Sequence, residues 1–228
     1  MTELAALERE IARDAAQFEG EKWIVMLGDY VDRGPHSADV LGHLTAAAPQ
    51  GFRRICLAGN HETMMLQFLS NPALDSEWLL FGGEATLSSY GIDLRAFRRA
   101  SRFARFAVLE SQIPSEHIVF LTELPVLLSL PGLNFVHAGL RPGLPLDQQV
   151  EQDMLWIREP FLSQSGKIAG VTIHGHTPVL VPVAVDNRIC IDTGAFASGT
   201  LTAARIGRDG VIKFLATKGL GGLESAKY

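Results

Sequence analysis

The sequence has no apolar run approaching the ~18–20 residues needed to cross a bilayer, which excludes a helical membrane span. It has only two cysteines, Cys56 and Cys190, far apart in the apolar stretches RRICLAG and NRICIDTG. Such thiols are expected to be buried and unpaired, as suits a reducing cytoplasm, rather than bridged. Basic charge is in deficit: 20 Lys and Arg face 25 Asp and Glu, a formal net charge of −5. That argues against nucleic acid as a general partner, because such binding wants a basic surface. An anionic small substrate is not excluded, since a site can be locally positive within an acidic protein. The opening MTELAALEREIARD is charged and amphipathic and lacks the apolar centre of a secretory signal. No GxxxxGK nucleotide loop occurs, which argues against kinase-like phosphoryl transfer, and no repeat or Ser/Gly linker divides the chain. What is present is 228 residues, 47% of them hydrophobic, with a mean hydropathy of +0.15. That is enough to bury a core without disulfide or metal staples, and it excludes intrinsic disorder. The expected location is cytoplasmic, the expected partners include no membrane, and the oligomeric state is left open.

Leu4, Leu7, Ile11, Ala15 and Phe18 recur at spacings of three and four, predicting a helix over 3–19 with Thr2 as N-cap. Short apolar runs of strand length follow at Trp23–Leu27, Ile55–Ala58, Leu133–Val136, Val171–Ile173 and Ile189–Ile191, each ended by glycine or a polar cluster. Helical patterns fill Ser37–Ala48, Glu62–Leu69 and Leu94–Leu109. Leu201–Ile206 and Val211–Leu215, around Gly207–Gly210, read as a terminal hairpin. Alternating strands and helices followed by strand-rich sequence indicate an α/β layer fold. Met64 and Met65 are expected in the core.

The chemistry collects at strand ends. Trp23–Leu27 runs into GDYVDRG (Gly28–Gly34), Ile55–Ala58 into GNHE (Gly59–Glu62), Leu133–Val136 into HAG (His137–Gly139), and Val171–Ile173 into HGHTP (His174–Pro178). Open α/β sheets place their ligand sites at that carboxyl edge. Carboxylate, amide oxygen and imidazole together suit divalent Mn, Fe, Co or Zn rather than a thiolate site. Asp29 has two oxygens and can bridge two ions, while Asn60, His137 and His176 can complete the shell of one. A pair of ions ~3.5–4 Å apart activates water and holds the oxygens of an in-line phosphoryl displacement. Arg33, next after Asp32, supplies a fork that matches phosphate oxygens. Asp, Asn and Gly favour turns whatever their function, but turn chemistry explains one such cluster, not four.

GDYVDRG, GNHE, HAG and HGHT resemble the second to fifth motifs of the calcineurin-like metallophosphoesterases, and more narrowly the phosphoprotein phosphatases acting on Ser and Thr, bacterial members included. The similarity spans roughly residues 20–200. It implies a two-sheet β-sandwich flanked by helices, a four-layer αββα arrangement, as one domain over 1–228 with a helical cap-like insertion at 70–110. It implies two divalent metals, manganese or iron and zinc, with Asp29 bridging and Asn60, His137 and His176 binding the second ion. His61 would protonate the leaving oxygen with Asp32 as its partner, and Arg33 would bind phosphate. The second phosphate arginine matches Arg158 in LWIREPF, with Arg141 the competitor. The implied activity is hydrolysis of phosphomonoesters by a metal-bridging hydroxide, on phosphoserine or phosphothreonine in proteins or on a small phosphoester. Symmetrical diadenosine tetraphosphate hydrolysis is the second reading.

One departure stands against the family pattern. The opening GDxH motif, whose Asp and His bind the first metal, is absent, and the helix at MTELAALEREI resembles the one that directly follows it. This implies a start downstream of the first strand; a phosphate-binding pseudoenzyme with a degenerate metal site is the alternative. Of the first metal's expected ligands only Asp29 remains, so one ion is the minimum expected.

Among the remaining residues, His174 is expected to pack in the core or orient a ligand, and Glu62 to support the site from a helix start, where an acid favours the dipole. Asp192 is read equally as a hydrogen-bond acceptor near the site and as a turn residue. His36, His43 and His117 are expected at the surface or in caps. The arginines of Leu94–Leu109 are read as a solvated face above Phe97, Phe103 and Phe106, in preference to a basic docking cap.

Overall fold

In the computed structural model, residues 1–207, 210–219 and 225–227 are described. In chain order the elements are α1 (Thr2–Ala15), β1 (Trp23–Met26), α2 (Ser37–Thr45), β2 (Arg53–Cys56), α3 (Asn60–Ser70), α4 (Glu84–Ser89), α5 (Leu94–Arg99), α6 (Arg102–Gln112) and α7 (Ser115–Thr122). There follow β3 (Leu127–Leu130), β4 (Leu133–Val136), α8 (Glu151–Trp156), α9 (Phe161–Gln164), β5 (Val171–His174), β6 (Val183–Val185), β7 (Arg188–Cys190), α10 (Ala195–Ser198), β8 (Thr202–Ile206), β9 (Val211–Ala216) and β10 (Ser225–Lys227). These elements gather into two compact units: Met1, Gly28–Ala48 and Ala58–Pro125 in one, and Thr2–Leu27, Pro49–Leu57 and Val126–Tyr228 in the other. All the strands belong to the second unit. The chain leaves it directly after β1 and again directly after β2.

The second unit is layered because its strands alternate. In β4 and β5, Leu133, Phe135, Val171 and Ile173 point to one face, and Asn134, Val136, Thr172 and His174 to the other, as a two-residue period requires. The first set packs with Ile189 against Val25 and Ile55 from β1 and β2 and Leu57 just after β2, and against Ala204, Ile206, Ile212 and Phe214 from β8 and β9. That interior joins the five-stranded sheet β3-β4-β5-β7-β6 to the strands of the two smaller sheets, β1-β2 and β10-β9-β8. Leu57 and Ile212 are fully buried, each contributing on the order of 1.5–3 kcal/mol. Val136 faces the helical layer, with Met154, Ile157 and Phe161 from around α8 and α9. On the opposite side α1 lies along β8 and β9, where Asp14 pairs with Arg205 at 3.1 Å and Lys213 at 2.8 Å. The order helix, strands, sheet, helix is the expected α/β sandwich. Cys56 and Cys190 are free and buried, as expected.

The first unit is helical and includes residues 70–110. Phe68, Trp78 and Phe97 form its aromatic centre, with ring centroids 4.8 Å apart for Phe68–Trp78 and 6.3 Å for Phe68–Phe97. Met64 and Met65 are buried there.

Several local expectations are corrected. The first helix stops at Ala15 rather than 19 and begins at Thr2, which is therefore inside it and not its cap. Leu94–Leu109 is two helices, because the Ser101 side chain accepts from the Ala104 N–H and starts a new one. Phe103 is 85% exposed rather than packed beneath the arginines. His117 is buried, its Nδ1 2.8 Å from the Tyr90 hydroxyl; burial lowers its pKa. β8 and β9 pair antiparallel as the predicted hairpin, though Arg208 and Asp209 of its turn lie outside the described residues.

Candidate active site

In the first unit, GDYVDRG and GNHE are tied into one knot. Gly28 has φ +98, and a Cβ there would lie 2.5 Å from the Gly59 nitrogen, so the close approach of the two loops demands glycine. Asp29, Asp32 and Arg33 all adopt positive φ, at 58°, 77° and 64°. Each such residue costs roughly 1–3 kcal/mol and persists only where its surroundings over-determine it. Glu62 supplies much of that determination. Fully buried, it accepts from the N–H groups of Gly59 and Asp29 (both 2.8 Å) through Oε2. Through Oε1 it accepts from Tyr30 at 2.6 Å and Val31 at 3.3 Å. The expected supporting role of Glu62 thus has a physical form: one carboxylate fixes both loops.

Asp32 is equally enclosed. Its N–H donates to Thr86 Oγ1 (2.8 Å), whose hydroxyl stands 2.7 Å from Asp32 Oδ1. Trp78 Nε1 donates to Oδ2 at 2.9 Å. His61 Nδ1 lies 2.5 Å from the same Oδ2, and Arg33 Nη2 lies 3.1 Å from His61 Nε2. Burial alone would lower the His61 pKa. The hydrogen bond to Asp32 and the charges of Asp29 and Asp32 outweigh that burial and the opposing Arg33, so the pKa is raised. Asn60 begins α3 and is buried, and the His61 N–H points to Asp29 Oδ1 at 3.4 Å. Five sequence-derived residues, Asp29, Asp32, Arg33, Asn60 and His61, therefore sit in this unit.

Trp78 and Thr86 carried no sequence signal as site residues. They reach Asp32 from 46 and 54 positions away. The available hint was a tryptophan, whose polar N–H needs a partner once the ring is buried.

In the second unit, His137 follows β4 and His176 follows β5 at φ 64. The His137 Nδ1–H donates to the Leu27 carbonyl at 2.7 Å, and its Nε2 lies 3.2 Å from His176 Nδ1. A backbone acceptor on one ring nitrogen leaves the other as a lone pair, the arrangement of metal-binding imidazoles. The pair thus fits two ligands of a divalent ion by donor chemistry. Among the described residues no group of three or more His, Cys, Asp or Glu side chains converges as a metal cluster. His174 is fully buried, its ring centroid 4.8 Å from that of Phe161. Burial, then the charges of Arg188, His137 and His176, push its pKa down to about 3 against the bond to the Gly175 carbonyl. It packs in the core, one of its two expected placements. Asp192 accepts from the Gly194 N–H at 2.9 Å, a turn role. The two candidate arginines differ: Arg141 is held by Asp153 through two 2.6 Å bonds, whereas Arg158 is exposed after α8.

Residues 2–198 match the family model of the calcineurin-like phosphoesterases. The chain belongs to that family. It is therefore an enzyme of phosphoester-hydrolase type, and the family generally works with divalent metals. Serine/threonine-protein phosphatase 1 of Salmonella typhimurium is 27% identical over 191 residues, 80% of this chain and 78% of that protein. The bis(5'-nucleosyl)-tetraphosphatase PrpE of Bacillus thuringiensis, described as asymmetrical, is 25% identical over 200 residues, 81% and 76% of the two chains. A crystal structure of a protein provisionally called a diadenosine tetraphosphatase superposes with TM-score 0.60 at 20% identity, covering 93% of this chain and 88% of its own. No helix among the described residues is long and apolar enough to cross a membrane.

Proposed function

We propose that this phosphoesterase hydrolyses phosphomonoesters, with phosphoserine or phosphothreonine in proteins as the preferred substrate. The observation that carries the reading is the contact chain Asp32–His61–Arg33, at 2.5 and 3.1 Å. It joins an anion-binding fork to an imidazole whose pKa is raised. Arg33, with Arg158, binds the phosphoryl oxygens and stabilises the charge that spreads over them in the transition state. His61, oriented through Nδ1 by Asp32, gives a proton from Nε2 to the leaving oxygen once Arg33, a donor-only group 3.1 Å from that nitrogen in this structure, has turned to the phosphate. Asp32 in turn steadies the imidazolium and is itself fixed by Trp78 and Thr86. Asp29, Asn60, His137 and His176 would be the residues to hold a divalent metal, with manganese the first choice. Such an ion would supply Lewis acidity toward the phosphoryl oxygens and would lower the pKa of the attacking water.

The test compares leaving groups in added Mn²⁺. His61→Ala should cut kcat on a phosphoserine peptide by about 10²-fold or more. It should cut kcat far less on p-nitrophenyl phosphate, whose phenolate leaves with little need of a proton. Equal losses on both substrates would refute the proton-donor role. Cleavage of dinucleoside tetraphosphates with no peptide turnover would move the substrate to that of the PrpE relative, here a second reading with either cleavage symmetry.

A further inference from the structure

The segment between α3 and α4 meets the proposed phosphate site at two points. At one end Trp78, 1% exposed, donates to Asp32 Oδ2 at 2.9 Å. At the other, the Gly82 carbonyl accepts from the Arg33 N–H at 3.2 Å. Gly82 has φ +117, and a Cβ there would stand 2.7 Å from both the nitrogen and Cγ of Arg33, so the turn lies directly on that residue. Between these anchors the chain turns through Leu79–Gly83, kinked at Gly82, and leaves Leu80 86% and Phe81 46% exposed. Scattered exposed apolar residues are ordinary. Two adjacent ones on a turn anchored at both ends to Asp32 and Arg33 are a different case, because the turn that carries them is packed on the residue that would bind the phosphate. Phe81 is one Cα step, about 3.8 Å, from Gly82, so the apolar pair is within reach of residues flanking a bound phosphoresidue.

We infer that Leu80 and Phe81 form a specificity element that reads an apolar side chain next to the phosphorylated residue of a peptide substrate. This rests on the proposed protein-phosphatase activity and names the sequence context that it prefers. The chemistry favours a peptide over a nucleobase. The more exposed member of the pair is aliphatic and offers no stacking face, and Leu79–Gly83 has no side-chain donor or acceptor to read a base edge. The neighbouring charge of Glu84 is paired with Arg98.

The experiment measures kcat/KM in Mn²⁺ for two phosphoserine peptides, identical except for leucine or glycine on both sides of the phosphoserine. Wild type should prefer the leucine-flanked peptide by about tenfold, mostly through KM, the equivalent of ~1.4 kcal/mol. In the Leu80→Ser/Phe81→Ser protein the ratio should fall to twofold or less. Leu80→Ser alone, at a position too exposed to disturb folding, should lower it measurably. No preference in wild type, or the same ratio in wild type and both variants, would overturn the inference while leaving the phosphatase reading intact. Failure of wild type to hydrolyse either peptide while it cleaves a dinucleoside tetraphosphate would overturn that reading, and the inference with it.

Discussion

Replacing Glu62 by glutamine tests whether one buried carboxylate really holds the two loops together. The four backbone N–H groups it accepts from, those of Asp29, Tyr30, Val31 and Gly59, point at two oxygens. An amide has one oxygen, so whichever way the new side chain turns, an NH₂ faces two donors. The less costly orientation keeps the oxygen on Asp29 and Gly59 and abandons Tyr30 at 2.6 Å and Val31 at 3.3 Å. An unsatisfied buried N–H costs ~1–3 kcal/mol, and each surviving bond weakens when its acceptor loses charge. Relief of the buried charge offsets part of this, leaving a net loss of about 3 kcal/mol. With a urea m-value of roughly 2.5 kcal/mol/M, the unfolding midpoint should fall by about 1.2 M. Because Asp29 sits at positive φ and is steadied by Glu62, kcat measured well below the unfolding transition should also drop, by about tenfold or more. A glutamine variant within ~0.5 kcal/mol of wild type would refute the argument that this carboxylate over-determines the strained loops.

Three further outcomes are expected. His174 has a folded pKa of about 3 against 6.5 for the free group; below pH 6.5 the unfolded chain takes the proton that the folded one refuses, so stability is lost as pH falls. The loss attributable to this group should reach about 2 kcal/mol by pH 5, and urea midpoints at pH 7 and pH 5 should differ by that much less in His174→Gln. The raised pKa of His61 predicts an opposite limb in activity: a proton donor is lost as pH rises through that pKa. Asp32→Asn removes a charge that raises it and weakens the bond, so the alkaline fall in kcat should move to lower pH, and an unmoved limb would contradict the pairing. Arg158→Ala should reduce kcat/KM by roughly 10²-fold with an unchanged melting temperature, while Arg141→Ala should show its main effect as a lower melting temperature, since Arg141 is committed to Asp153. The reverse pattern would exchange their roles.

The strands that lead into the site were legible because each is a short apolar run stopped by glycine, and the same period that reveals a strand says which residues face the interior. Leu133 and Phe135 against Asn134 and Val136 is the plainest case. β3 and β6 were missed: Leu127–Leu130 and Val183–Val185 merge into longer apolar or proline-broken stretches with no boundary of their own. The break at Ser101 escaped because the Arg-and-Phe periodicity runs on across it, and only the backbone's choice to cap on the serine ends the first helix. His117 looked like a surface residue because its own helix is polar around it. The group that buries it, Tyr90, lies 27 positions earlier.

The motifs name the reacting residues far better than they name what keeps them in place. Asp29, Asp32 and Arg33 occupy backbone conformations that none of them would choose, at a joint cost of several kcal/mol. Most of the compensating contacts come from Glu62, Trp78, Gly82 and Thr86, each at least 33 positions from the strained residue it holds. A motif is a local pattern, and it can record only residues that the chain itself brings close. The supporting contacts form on folding, between loops whose spacing is set by intervening helices, so they leave no spacing to read. This explains why Glu62, the one supporter lying inside a motif, was also the one anticipated from the sequence. It also places the greatest untested leverage on this enzyme outside its motifs, in the turn from Trp78 to Gly83 that braces Asp32 and Arg33 together.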